Sequence, residues 1–361
     1  MTNLDAKRRD ISPVGMNKAA SSKCFIQGFQ YKRKMEEKMK IGILGAGRIA
    51  VIMAKTIAEM KDAELYAVAA RSLDRAEAFA KANGVAKAYG SYEEMLNDPL
   101  VELVYIATPH SHHYEHAKLC IEHKKPVLCE KAFTLNADQA KKLIELSRKE
   151  NVYLAEAIWT RYMPSRKMIN DLLASGIIGK VTTVTSNLCY PITEKERIVT
   201  PELAGGALLD ISVYGLNFSI MHFGKDFERI ESSVQMTDKG VDGMETITIF
   251  YKDGRMATVT SSIYSRSDRK GIFYGDKGYM IVENINNPNL IQVFDTEDKL
   301  IKSVNVPEQI TGYEYEVQES MKQIQAGKIE SESMPLEETV FVMELMDKIR
   351  AQWNLVYPQE K

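Results

Sequence analysis

Cysteine is scarce in this chain. Four occur in 361 residues, Cys24, Cys120, Cys129 and Cys189, without a CxxC pair or a metal-ligand spacing. That excludes a disulfide-stapled scaffold and a cysteine-built metal site, and it reads as reduced thiols in a cytoplasmic protein. A large charge of either sign is also missing. The net charge of -2 gives no reason to expect nucleic acid or an anionic membrane surface as a partner. No apolar run approaches the ~20 residues of a membrane span. There is no internal repeat and no low-complexity tract. What remains is ordinary for a globular protein, 45% apolar and 27% charged residues. At 361 residues the chain is longer than one compact core usually serves, so two domains are expected.

Residues 1–38 differ from the rest. They are polar and basic without sustained periodicity, which predicts a disordered or weakly ordered extension. Arg8-Arg9 suggests twin-arginine export, but the apolar segment such a signal requires does not follow. An alternative is that the natural start is Met35 or Met39, with an upstream extension before it.

The chain is organised around Met39-Lys-Ile-Gly-Ile-Leu-Gly45-Ala46-Gly47-Arg48-Ile49-Ala50. Ile41–Leu44 reads as a buried parallel strand, and a helical pattern runs on through Met60. Between them lies Gly45-x-Gly47-x-x-Ala50. Gly45 permits a tight turn, Gly47 lets a pyrophosphate approach the backbone, and Ala50 lets the helix pack closely on the strand. The helix N-terminus then faces the phosphates with free N–H groups. A tight strand–helix turn without a ligand is the alternative, and the strand–turn–helix context argues against it.

Strand and helix alternate from there. Strands are predicted at 65–70, 101–107, 127–130 and 152–157, and helices at 74–82, 112–123 and 137–149, the last capped by Asn136. This rhythm implies a doubly wound parallel sheet. After Trp159 the pattern changes. A helix at 168–174, a β-rich run at 181–190 and a helical stretch at 207–223 lead into hairpins. These are 245–251 and 255–264 around Lys252-Asp253-Gly254, then 271–274, 279–282 and 290–294. That predicts an α+β domain on a mainly antiparallel sheet, followed by helices at 313–326 and 336–353.

The second strand ends Ala69-Ala70-Arg71-Ser72, without the carboxylate that usually binds both ribose hydroxyls of NAD. Arg71, and Arg75 one helical turn later, suit a 2′-phosphate through charge-assisted hydrogen bonds. NADP is therefore expected in preference to NAD. Three further motifs carry chemistry. Ile106-Ala-Thr108-Pro109-His110-x-x-His113 follows a strand at the carboxyl edge, Cys129-Glu130-Lys131 ends the next strand on that edge, and Gly205-Gly206 leads into Asp210 and Tyr214. On a helix, Asp210 and Tyr214 share one face at i and i+4.

The set GxGxxA, ATPxxxH, EK and GGxxxDxxxY resembles the Gfo/Idh/MocA family of oxidoreductases. Glu156-Ala-Ile-Trp159-Thr160-Arg161 and the tail from Met334 to Trp353 resemble its dimeric dihydrodiol dehydrogenase branch. The resemblance covers roughly residues 39–355. It implies that Lys131 lies by the nicotinamide and hydrogen-bonds the reacting hydroxyl. Tyr214 would exchange the proton, and Asp210 would orient substrate and proton-transfer group. Trp159 and Arg161 would line the substrate pocket with Asp210 and Tyr214. The nucleotide site would take in Gly45, Ala46, Gly47, Arg48, Ile49, Arg71, Ser72, Arg75, Thr108, Pro109, His110, His113, Glu130 and Lys131. The chemistry is consistent: a tyrosine near its usual pKa of ~10 is a poor base, and a nearby ammonium favours its phenolate. A lysine also stabilises a forming alkoxide. The sequence departs from the family at Ala132, where proline is common after the lysine, and at Ala204, where a third glycine is usual.

A rival motif is His112-His113-Tyr-Glu115-His116, which matches the H-x-x-E-H zinc pattern, but no further acidic ligand is identifiable and no metal is expected. The expected domains are a Rossmann domain at 39–158, an α+β substrate and dimerisation domain at 159–335, and a terminal helix region at 336–361 packing back near the Rossmann domain. The expected function is NADP-dependent interconversion of a secondary alcohol of a sugar, polyol or cyclic trans-diol with its carbonyl. The alternatives are a redox-neutral NAD-dependent glycosidase and a non-catalytic dinucleotide- and sugar-binding regulator. The exposed sheet face suggests a homodimer or higher homo-oligomer.

Overall fold

In the first layer, short strands buried on both faces are joined by helices that each bury one stripe. The computed structural model describes residues 38–361, so the expectations for residues 1–37, and for Cys24, lie outside the described part. Strands β1 (Met39–Leu44), β2 (Ala63–Ala69), β3 (Lys87–Tyr89), β4 (Leu103–Ile106), β5 (Val127–Glu130) and β6 (Leu154–Ala157) form one sheet in the order β3-β2-β1-β4-β5-β6. Every pairing in it is parallel. Helices α1 (Arg48–Glu59), α2 (Leu73–Asn83), α3 (Tyr92–Leu96), α4 (His113–Glu122) and α5 (Ala137–Glu150) connect the strands. Asn136 caps α5 by accepting a hydrogen bond from Gln139 N at 2.9 Å, and Gly84 closes α2 in the left-handed region at φ 68°. The order of strands reverses between β1 and β4. A crevice opens there at their carboxyl ends, where doubly wound sheets bind ligands. The sequence reading passed over β3 and α3, which are three and five residues long and too short to express a period.

The second sheet has eight strands: β7 (Val181–Cys189), β8 (Phe227–Met236), β9 (Asp242–Tyr251), β10 (Met256–Ser262), β11 (Gly271–Gly275), β12 (Gly278–Val282), β13 (Leu290–Phe294) and β14 (Leu300–Asn305). Their order is β14-β13-β12-β11-β7-β10-β9-β8, and β7 pairs with β10 in parallel while all other pairs are antiparallel. Helix α6 (Pro164–Ala174) precedes the sheet, and α7 (Val213–Phe223) lies against β7 and β10. Helices α8 (Glu314–Gln325) and α9 (Leu336–Trp353) follow the sheet, and α9 packs on α5 and on β8.

One expectation needs correcting. Pro201–Phe223 is long and apolar enough, by composition, to cross a membrane, contrary to the reading that no run comes near that length. Nearly all of it is buried inside the protein, which makes it a core segment. Cys120, Cys129 and Cys189 are buried free thiols.

The seat of α7 depends on Gly215. A β-carbon there would lie 2.4 Å from Val259 Cγ1 and 3.2 Å from Ser186 Oγ. Gly215→Ala is expected to destabilise the fold by about 1–3 kcal/mol through overpacking. Adding Val259→Ala should recover part of that loss in urea unfolding.

Candidate active site

The crevice is built from the ends of β1, β4 and β5. Gly45 has φ +105°, and a β-carbon on it would meet Thr108 Cγ2 at 3.0 Å and the Ala107 carbonyl at 3.1 Å, so only glycine suits this turn. Gly47 is different. Its nearest neighbour to a built β-carbon is the Ala107 carbonyl at 3.9 Å, which leaves open space. Gly47 is also the N-cap of α1, with no side-chain cap and no acidic residue in the first turn. Gly47 and Arg48 are exposed, and Ala46 and Ile49 are half-buried against the core beneath. An open glycine before uncapped amide groups fits a dinucleotide pyrophosphate. At the end of β2, Arg71, Ser72 and Arg75 are exposed. Both arginines lie near the Tyr92 hydroxyl, and Arg71 also lies near His112.

After β4 the chain binds its own backbone. His113 is wholly buried, with Nδ1 2.7 Å from the Ala132 carbonyl and Nε2 2.8 Å from the Thr108 carbonyl. Burial pushes its pKa down to about 4 although both carbonyls oppose this. Both ring nitrogens face backbone, so His113 braces the ends of β4 and β5 and presents no nitrogen to the crevice. His110 Nδ1 lies 3.2 Å from the Ala204 carbonyl. Its Nε2 lies 3.8 Å from Asp210 Oδ1. That is an ion-pair spacing, but burial lowers the ring's pKa to about 3, so the imidazole is neutral at neutral pH.

Asp210 is the centre of the site. Lys131 Nζ donates to the Asp210 carbonyl at 2.6 Å and to Oδ1 at 3.2 Å, while Arg197 donates to Oδ1 at 2.8 Å and Oδ2 at 3.4 Å. Burial alone would raise the carboxyl's pKa. Lys131 and Arg197 outweigh it and hold Asp210 ionised well below the usual carboxylate range. Residues Leu208–Ser212 form a wide π-helical turn before α7, so Asp210 and Tyr214 are not related by a regular α-helical i, i+4 step. Lys131 Nζ nevertheless sits over the Tyr214 ring, 4.8 Å from its centroid. The Lys131–Ala132 peptide is cis.

The expectation that Lys131 lowers the Tyr214 pKa is not met here. Burial raises it well above the ordinary value, with Tyr313, Glu130 and Asp210 adding to the rise. Lys131 gives its hydrogen bonds to Asp210 and meets only the face of the tyrosine ring. Beneath it, Glu130 accepts hydrogen bonds from Tyr105 OH and, at 3.2 Å, from Lys131 N. Burial pushes Glu130 up to about 7 against the pull of Lys131.

Trp159 stacks on Tyr313 with ring centroids 4.1 Å apart and an interplanar angle of 12°, and its Nε1 donates to Asn286 Oδ1 at 3.1 Å. Tyr313 in turn lies near Tyr214 and Glu130. Arg161 is not brought to this group. It is buried, donating to Asn217 Oδ1 at 2.7 Å and to Glu338 Oε2 at 3.3 Å, where it ties α7 to the start of α9. The histidine motif is likewise committed elsewhere. The rings of His112 and His116 stack at 5.6 Å, and His116 Nδ1 meets Thr108 Oγ1 at 2.9 Å. No group of three or more metal-ligating side chains forms among the described residues. Sequence reasoning missed Arg197, Tyr105 and Tyr313. Arg197 lies in a one-turn helix, Glu196–Val199, too short to express a period, Tyr105 reads as a core strand residue, and Tyr313 carries no motif beyond a tyrosine-rich helix start.

The two sheets and the crevice define a dinucleotide-binding oxidoreductase. The family model described as an oxidoreductase family with NAD-binding Rossmann fold matches residues 39–157, and that of the GFO/IDH/MocA C-terminal domain matches residues 167–281. The chain belongs to the Gfo/Idh/MocA family and is a dehydrogenase or reductase. It is 32% identical to the trans-1,2-dihydrobenzene-1,2-diol dehydrogenase of Danio rerio over 89% of this chain and 99% of that one. The Homo sapiens enzyme of the same name is 31% identical over 90% and 99%. In fold the chain is similar to KijD10, a 3-ketoreductase from Actinomadura kijaniata solved with NADP, with TM-score 0.80, 21% identity and coverage of 87% and 98%. It is similar also to an aldose-aldose oxidoreductase from Caulobacter crescentus, with TM-score 0.78, 19% identity and coverage of 89% and 100%.

Glu156 on β6 is 1% exposed, neither of its carboxylate oxygens has a hydrogen-bond partner, and burial pushes its pKa up to about 7. A raised folded pKa means that the folded state keeps a proton the unfolded chain has lost, so stability falls as pH rises between about 4.5 and 7. Glu156→Gln is expected to melt several degrees above wild type at pH 8 and level with it at pH 4. A gap that stays constant with pH would contradict this assignment.

Proposed function

We propose that the chain interconverts a secondary alcohol and its carbonyl on a cyclic trans-diol, sugar or polyol, using NADP in preference to NAD. The observation that carries the reading is Lys131, held by Asp210 at the carboxyl edge of the nucleotide sheet, poised over Tyr214. The nicotinamide, when bound, supplies the hydride donor or acceptor. Lys131 provides an ammonium that stabilises developing negative charge on the substrate oxygen. Tyr214 exchanges the proton. Its hydroxyl is held protonated, so the arrangement suits it as the acid that delivers a proton to a carbonyl oxygen in reduction. For oxidation, Lys131 must turn part of its charge from Asp210 toward the tyrosine oxygen. The names of the curated relatives favour a cyclic trans-diol, and the Trp159–Tyr313 stack offers a flat apolar wall for a ring. Arg71 and Arg75, exposed at the end of β2, would take the 2′-phosphate in place of the missing carboxylate. A homodimer would cover the outer face of the second sheet, where Tyr279 stacks on Phe294 beside Tyr274.

The test is the reduced-nicotinamide absorbance with trans-dihydrodiols, sugars and polyols. Turnover with NADP is expected to fall at least 100-fold in Lys131→Ala and in Tyr214→Phe. Arg71→Ala/Arg75→Ala should weaken NADP binding at least tenfold and leave NAD within about twofold, the loss of charge-assisted bonds to one phosphate. Equal weakening for both cofactors would contradict the NADP assignment. Release of free sugar from a glycoside without net cofactor reduction would replace the dehydrogenase by a glycosidase.

A further inference from the structure

Beyond α9 the chain turns back through Asn354, in the left-handed region at φ 54°, and buries Tyr357 completely. The Tyr357 hydroxyl donates to the Gly205 carbonyl at 3.1 Å. The tail that holds this tyrosine is itself held. Arg350 donates to both oxygens of Glu360, NH1 to Oε2 at 2.7 Å and NH2 to Oε1 at 2.9 Å, and its guanidinium lies 5.0 Å from the Tyr357 ring centroid. Glu360 Oε2 also accepts from Tyr357 N at 2.9 Å, and Oε1 from Asn136 Nδ2 at 2.8 Å, the side chain that caps α5. A bidentate, buried arginine–carboxylate pair is among the stronger non-covalent fastenings available to a chain.

The backbone at the other end of this fastening leads straight into the active site. Ala204 lies in the left-handed region at φ 55°, where family members usually carry glycine, and its carbonyl receives His110 Nδ1 at 3.2 Å. Gly206 has φ +116°, and a β-carbon there would lie 2.1 Å from Asp242 Oδ1. Asp242 Oδ2 accepts from Leu208 N at 2.5 Å, two residues before Asp210. An alanine at positive φ is strained and must be held by its surroundings.

We propose that Tyr357, fastened by Arg350 and Glu360, is a positioning residue for the reaction: it fixes the Ala204–Gly206 backbone, and through it His110 and Asp210, so that Lys131 is held over Tyr214. The proposal rests on the reading of Lys131 and Tyr214 as the reacting pair. It separates two functions of the chain. The pyrophosphate turn after β1 and the arginines at the end of β2 are not touched by the tail, so most of the cofactor affinity should survive the loss of Tyr357, whereas the rate of the chemical step should not.

The experiment uses the full chain carrying Tyr357→Phe or Glu360→Gln. Three quantities are compared with wild type: kcat and KM for trans-1,2-dihydrobenzene-1,2-diol with NADP, the Kd for NADP, and amide hydrogen exchange. In Tyr357→Phe, kcat is expected to fall about five- to tenfold, the scale of one lost hydrogen bond. The Kd for NADP should stay within about twofold, and exchange at residues 198–210 should quicken at least tenfold while β1 and α1 keep their protection. Lys141→Ala, which breaks an exposed ion pair to Glu344, should change none of these. Should Tyr357→Phe fail to fold, Glu360→Gln carries the same expectations, because it weakens the fastening and leaves the tyrosine in place. Wild-type kcat or wild-type exchange at 198–210 in a folded variant overturns the proposal, as does loss of protection spread evenly over the chain. If wild type itself turns over no diol, the proposed activity fails, and the exchange result then decides the fastening alone.

Discussion

The buried negative charge of Asp210 is the constraint on which the catalytic half of this molecule depends. An isolated carboxylate at that depth would take up a proton. Here Lys131 and Arg197 both donate to its Oδ1, so the charge persists and the ammonium is fixed over Tyr214. Removing either cation would leave the buried carboxylate with the other as its charged donor, and its hold on a proton would rise accordingly. The same carboxylate therefore sets the direction of Lys131, the charge beside His110 and the path of the turn that leads into α7.

Neighbouring carboxyls meet the opposite fate. Glu130 and Glu156 are each pushed up to about 7 by burial, and Glu316, wholly buried, is raised well above its ordinary value. Glu316 has no hydrogen-bond partner on either oxygen. Within one interior, one acid stays charged and three lean toward their neutral forms, and the difference is the company of cations.

Much of this was legible in the sequence because it rested on local rules. Buried apolar strands, Gly45-x-Gly47, the Asn136 cap and the Lys252-Asp253-Gly254 hairpin each follow from a few adjacent residues. The motifs at Lys131, Asp210 and Tyr214 fall where the chain was expected to bring them together. What escaped was non-local or irregular. Arg197 reaches Asp210 from a single helical turn too short to show a period, and the π-helical turn at Leu208–Ser212 has no pattern distinct from an α-helix. The Tyr214 expectation failed because a nearby cation was counted without asking which anion already held it. Arg161 lay near the right residues in sequence, yet its guanidinium was drawn to Glu338, more than 170 positions away.

The parallel pairing of β7 with β10 has a consequence for the order in which the molecule is put together. All six strands of the nucleotide layer come from residues 39–157, each joined to its neighbours by short crossings. That layer is complete on paper before the second sheet begins. The second sheet grows outward from β7, whose two neighbours, β10 and β11, are made some 70 residues or more after it begins. Contacts between distant segments form slowly. During synthesis, β7 must wait with both edges unpaired until β10 is made and with one edge open until the chain has passed Gly275, and the segment between Cys189 and Leu208 waits longer still, until Tyr357 has emerged to bond Gly205. The dinucleotide half is thus ready early, while the half that carries Lys131 and Tyr214 together is finished only once the chain has passed Tyr357, so a fragment that holds the nucleotide layer gives no assurance of a working enzyme.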